Sequence, residues 1–102
     1  MGIYIAWQNE SGDELASMVD SKNHIAHILG SINFKSTSCL RFIDPYGNTV
    51  FNRHQIPLLI EELEKVRPEI SDPAQMTFFR ELLHFIKKRE DLIHIYLKFI
   101  GD

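Results

Sequence analysis

The chain opens on an alternation. In residues 2 to 8, Ile3, Ile5 and Trp7 interleave with Tyr4, Ala6 and Gln8, the period of two that marks a strand. Asn9, Glu10, Ser11, Gly12 and Asp13 read as a turn. Glu14 to Val19 then fits a short second strand, although Leu15 and Met18 fit a helix as well. Asp20 or Ser21 can cap a helix whose apolar positions Ile25, Ile28, Leu29 and Ile32 recur every three or four residues, and Gly30 is expected to end it early.

From Ser38 to Asp44 the alternation returns, with Leu40 and Phe42 on one face and Cys39, Arg41 and Ile43 on the other. Asp44, Pro45, Tyr46, Gly47 and Asn48 form a turn signal: Asp bonds locally, Pro fixes φ and Gly accepts a positive φ. Thr49, Val50 and Phe51 are read as the returning strand of a hairpin with 38–44. Asn52 with Gln55 three residues on is a variant of the reciprocal capping box, and it precedes the stripe Ile56, Leu59, Ile60, Leu63, Val66 of a helix that Arg67 and Pro68 end. Ser71 or Asp72 before Pro73 starts a further helix, in which Met76, Phe79, Leu83 and Ile86 face inward and Phe78, Leu82 and Phe85 widen the stripe. A closing strand sets Ile93, Ile95, Leu97 and Phe99 against His94, Tyr96, Lys98 and Ile100.

The sum is an α+β fold: a single-layer, mostly antiparallel sheet of four to five strands packed against three helices, residues 1–102 forming one domain. Composition leaves this picture intact, since 102 residues with 44% hydrophobic and 25% charged positions suit an ordinary globular core. No apolar run approaches the roughly 18 residues of a membrane span. The start MGIYIAWQNE lacks a basic leader and Cys39 is the single cysteine, so a cytoplasmic protein is expected. A formal net charge of -3 argues against direct nucleic-acid binding. The basic run Lys87, Lys88, Arg89 reads as compensation for a helix C-terminus.

Candidate chemistry is sparse. His24 and His27 lie three apart on a probable helix, with no HExxH, CxxC or second cluster nearby, so a surface pair is the plainer reading and no metal or cofactor is expected. Ser36, Thr37, Ser38 and Cys39 stand upstream of His54, but no nucleophile elbow accompanies them. A nuclease reading would pair Asp44 with His54, Arg53 or Arg41 around a phosphate, and a small enzyme would need Asp44, Arg53 and His54 to converge, whereas the turn already explains Asp44 and the cap explains Asn52. The polar residues left without a structural task are Tyr46, Asn48, Arg53 and His54, expected together at one end of the sheet, and Tyr, Arg and Asn are types that recognition surfaces use.

The stretch CLRFIDPYGNTVFNRHQIPLLIEELE and the ending HIYLKFIGD resemble a group of small bacterial proteins with an RFIDPYGxTVFN core and a YLKFxGD ending, of the type of immunity proteins encoded beside polymorphic or contact-dependent growth-inhibition toxins. The resemblance covers about half of the chain and carries no catalytic motif. It implies a non-catalytic protein that neutralises a cognate protein toxin, a nuclease domain foremost, by binding it and occluding its active site. The partner-facing residues it would then use are Tyr46, Asn48, Arg53 and His54, with Glu10, Asp13 and Glu14 in the first turn and Glu61, Glu62 and Glu64 on the second helix as charge partners. The protein would be a monomer or weak dimer. A small enzyme and a homodimeric scaffold, the latter using the outer sheet face with Tyr4, Tyr96 and Ile100, remain the alternatives.

Overall fold

The computed structural model describes residues 2–31, 38–89, 92 and 94–101. Strand β1 (Ile3–Asn9) folds back into β2 (Glu14–Asp20) because the intervening turn is closed by its own side chains. Asn9 Oδ1 accepts from the backbone N–H groups of Ser11 at 3.0 Å and Asp13 at 2.9 Å, while Gly12 takes φ 84°, a left-handed value open to glycine. The segment from residue 14 is therefore a strand. Its register sets Met18 opposite Ile5 and Ala16 opposite Trp7, and a bulge inserts Leu15 between the Trp7 and Gln8 pairings.

Helix α1 (His24–Ser31) follows, then a 3-10 turn at Leu40–Phe42, β3 (Asn48–Phe51), α2 (Ile56–Val66), a second 3-10 turn at Arg67–Glu69, α3 (Pro73–Lys87) and β4 (Ile95–Ile100). Among the described residues the sheet has four strands in the order β2-β1-β4-β3, all neighbours antiparallel. With the three helices this is the α+β architecture that the pattern predicts. Gly30 lies inside α1 rather than beyond it; Ile32 and Ile93 fall outside the described residues.

One sheet face carries the core. Ile3, Ile5, Trp7, Ile95, Leu97, Phe99 and Phe51 meet Leu59, Leu63, Phe79, Leu82 and Ile86 of the helices, all buried. Phe51 meets Phe99 edge to face with ring centroids 5.8 Å apart, and the buried indole Nε1 of Trp7 donates to the Phe85 carbonyl at 3.1 Å. The helix starts use the signals in the sequence. Asn52 Oδ1 accepts from Gln55 N at 3.1 Å while Gln55 Oε1 accepts from Asn52 N at 2.9 Å, a complete reciprocal box. Asp72 Oδ2 accepts from Gln75 N at 2.9 Å. At α1 the capping carboxylate is Asp20, fully buried at the end of β2, taking the N–H groups of His24 at 2.8 Å and Ile25 at 2.7 Å.

The expected strand at 38–44 is not formed, and with it goes the hairpin to 49–51. Cys39, Leu40 and Ile43 are buried, whereas Phe42 is 58% exposed, which is not an alternation. The cause is Glu62, on α2 and itself buried. Its carboxylate accepts the backbone N–H groups of Ser38 at 2.6 Å, Cys39 at 3.0 Å and Leu40 at 3.0 Å, taking the donors a strand partner would need. Thr49 Oγ1 braces the segment further, accepting from Asp44 N and donating to the Phe42 carbonyl, both at 3.1 Å. β3 pairs instead with β4, Phe51 opposite Leu97 and Asn48 opposite Ile100.

Candidate functional site

β3 separates two groups of residues expected together at one end of the sheet. Tyr46 and Asn48 stand where β3 begins, and Arg53 and His54 follow where it ends. The strand alone puts about 10 Å between the two groups, three steps of roughly 3.3 Å. Asp44 stays at the first end as the turn predicts, accepting from Tyr46 N at 2.9 Å, so it does not converge with Arg53 and His54. At this same end Gly101 N donates to the Gly47 carbonyl at 2.6 Å, and a Cβ on Gly101 would lie 2.5 Å from the Pro45 carbonyl oxygen. The DPYG turn and the FIG ending thus touch.

The opposite end gathers residues from three distant segments. The β1–β2 turn, the β3–α2 link and the start of β4 surround an open cleft of about 250 Å3 lined by Glu10, Asn52, Arg53, His54, His94, Ile95 and Tyr96. His94 Nδ1 lies 2.5 Å from Glu10 Oε1, a separation at which the ring N–H donates to the carboxylate. His94 holds φ 60°, a left-handed backbone value uncommon outside glycine, just before the strand starts. Asn52 Oδ1 accepts from both His54 N at 2.9 Å and Gln55 N at 3.1 Å, so the cap that starts α2 also fixes the backbone carrying Arg53 and His54. The structure thus unites Glu10, Arg53 and His54, and adds His94 and Tyr96, which the alternation of the last strand assigns only to its outward face. Eighty-four positions separate Glu10 from His94, and no local spacing signals the pair.

The acidic candidates divide by burial. Asp13 is exposed in the first turn, where its Oδ2 accepts from Asn9 Nδ2 at 3.3 Å. Glu14, exposed, accepts from the Tyr4 hydroxyl at 2.5 Å. Since Glu14 pairs with Gln8 in register, the Tyr4 ring must run along the strand across Ala6, which explains why Ala6 faces outward yet is fully buried. Glu61 forms an exposed i,i+4 pair with Lys65 at 3.3 Å. Glu64 is bonded to Lys87 of α3, and that hydrogen bond, followed by the lysine's charge, holds its carboxyl below the usual range. Glu62 is the correction: buried and saturated by backbone donors, it offers nothing to a partner.

Away from both ends, His24 stacks on Phe78 with centroids 5.3 Å apart, and His27 is exposed. Among the described residues no group of three or more His, Cys, Asp or Glu could hold a metal ion. Cys39 is buried, its Sγ donating to the Gln55 carbonyl at 3.7 Å, and burial first, then the charge of Glu62, pushes its thiol pKa up. Ser36 and Thr37 fall outside the described residues. No described helix is long and apolar enough to cross a membrane. Comparison of the chain with protein-family models, with curated proteins and with solved structures gives no match.

Proposed function

We propose that the chain is a binding protein of the immunity type, which neutralises a cognate protein toxin, foremost a nuclease domain, by covering its active site. The observation that supports this reading is the outer face of the sheet. The core-forming side chains all lie on the opposite face, and here Val19 is 56% exposed, Val50 51% and the bulged Leu15 45%. Half-buried Tyr4 and Ile100 continue the row of Val19 across the sheet, Lys98 stands opposite Val50, and half-buried Tyr96 stands opposite Gln8. Aliphatic and aromatic side chains set among polar neighbours make the composition of an interface centre. Glu10, Asp13 and Glu14 border it at one end and give the negative rim that a basic nuclease cleft would meet, speeding encounter.

The test is co-expression with the product of the neighbouring open reading frame, scored by growth and by recovery of a stoichiometric complex. Rescue of growth is expected with the wild-type chain. A Val19→Arg/Val50→Arg double variant that keeps native Trp7 fluorescence should lose at least tenfold in affinity. Absence of both rescue and complex would overturn the immunity reading, and unchanged affinity in the double variant would remove the sheet face from it.

A further inference from the structure

The cleft between the β1–β2 turn and the β3–α2 link adjoins the sheet face at Glu10 and Tyr96, but its chemistry is of another kind. It is concave, and it draws Arg53, His54, His94 and Tyr96 to one place from parts of the chain far apart in sequence. Arg53 has no carboxylate partner among the described residues, although acidic groups are numerous elsewhere on the surface. A guanidinium offers five donors in a planar fork, the geometry that matches the oxygens of a phosphate. It stands on backbone already held by the Asn52–Gln55 box, so the main chain that carries Arg53 and His54 is fixed before a ligand arrives.

Glu10, the acidic group of the cleft, is engaged by His94 Nδ1 at 2.5 Å. That bond does two things. It holds the imidazole in one orientation, and it leaves Nε2 as the ring nitrogen available to the cleft. The left-handed backbone at His94 sets the ring at the mouth of the strand, a conformation of the kind that persists where surrounding structure fixes it.

We infer that this cleft is a phosphate-binding site, with the Arg53 guanidinium gripping two oxygens of a phosphate dianion, His54 donating to a third, and the Glu10-oriented His94, as the doubly protonated ring, donating through Nε2. A volume of about 250 Å3 admits the phosphate together with the sugar of a nucleoside monophosphate, and the Tyr96 ring on the cleft wall offers a surface for that second part.

The experiment is an NMR titration of the full chain, following the histidine ring resonances, with inorganic phosphate in one arm and adenosine monophosphate in the other, at constant ionic strength. Saturable shifts of His54 and His94 are expected in at least one arm. Binding in both with similar affinity assigns a bare phosphate site; tighter binding of the nucleotide assigns a nucleotide site. Arg53→Ala should weaken binding at least tenfold, and Arg53→Lys should recover part of it. Glu10→Gln tests the positioning of His94 and should weaken binding while leaving Trp7 fluorescence native. Linear, unsaturable shifts in both arms, or an Arg53→Ala response equal to wild type, would overturn the assignment. Neither outcome bears on toxin neutralisation, which the growth assay reads separately.

Discussion

Glu62 is buried, and its removal should be costly to the fold. Its carboxylate holds three backbone N–H groups of residues 38–40, and two of the three, on Cys39 and Leu40, belong to residues only 2% and 3% exposed. In Glu62→Ala, Ser38 is exposed and can turn its N–H to water. The buried pair cannot, and an orphaned buried donor costs about 1–3 kcal/mol. With the void left behind, the expected loss is about 3–5 kcal/mol, a large part of the roughly 5–15 kcal/mol that holds a domain together. Glu62→Gln keeps one acceptor oxygen but turns an amide N–H2 toward a donor, and should lose about 2 kcal/mol. Glu61→Ala, one residue away on the exposed face, removes a surface pair with Lys65 and should cost under about 0.5 kcal/mol. Urea unfolding followed by the fluorescence of fully buried Trp7 measures all three. A Glu62→Ala loss below about 1 kcal/mol, or the same loss for Glu61→Ala, would refute the view that this carboxylate organises the 38–43 segment.

Cys39 carries a pH signature. Because its folded thiol pKa is raised, the folded chain keeps a proton that the unfolded chain gives up near pH 8.5, so stability is full below that value and falls as pH rises above it. Urea midpoints between pH 7.5 and 9.5 should fall with a slope that Cys39→Ala loses. Glu64 has the opposite sign: its carboxyl titrates below the usual range, so the pair with Lys87 helps above the ordinary carboxylate pKa and is lost as pH falls through the lower folded value. Carbon-detected NMR should show the low midpoint, moving up in Lys87→Ala. Gly101→Ala would drive a Cβ to 2.5 Å from the Pro45 carbonyl oxygen and should cost about 1–3 kcal/mol by thermal or urea unfolding, with no cost marking a turn that yields easily.

What was legible in the sequence was local. The Asn52–Gln55 box, the Asp72–Pro73 start and the alternation of β1 and β4 all act within a few residues, and each forms as its spacing predicts. The alternation at 38–44 misled because periodicity registers which side chains are apolar and is blind to who takes the backbone donors; Glu62 takes them from more than twenty residues downstream. The grouping of Tyr46 and Asn48 with Arg53 and His54 fails for a simpler reason: β3 runs between them, and a strand places its two flanks at opposite ends of the sheet whichever neighbour it pairs with. Glu10 with Arg53 and His54 is the reverse case. The residues were singled out one by one, yet their meeting with His94 depends on sheet order, which alternation within a strand does not contain.

The sheet order β2-β1-β4-β3 also governs how the chain can be made. Its two central strands are the first and the last in sequence, β1 ending at Asn9 and β4 starting at Ile95. During synthesis the β1–β2 hairpin emerges early and must wait, one edge of β1 unsatisfied, until residues 95–100 have cleared the ribosome. β3 has no sheet partner until then either. Helices α2 and α3 can pair meanwhile, but the apolar faces that meet Leu97 and Phe99 stay open. Pairings this distant in sequence slow folding and leave strand edges exposed to other chains. A chain stopped anywhere before Ile95 therefore lacks the middle of its sheet, and is expected to be cleared by proteases rather than to persist as a smaller folded form.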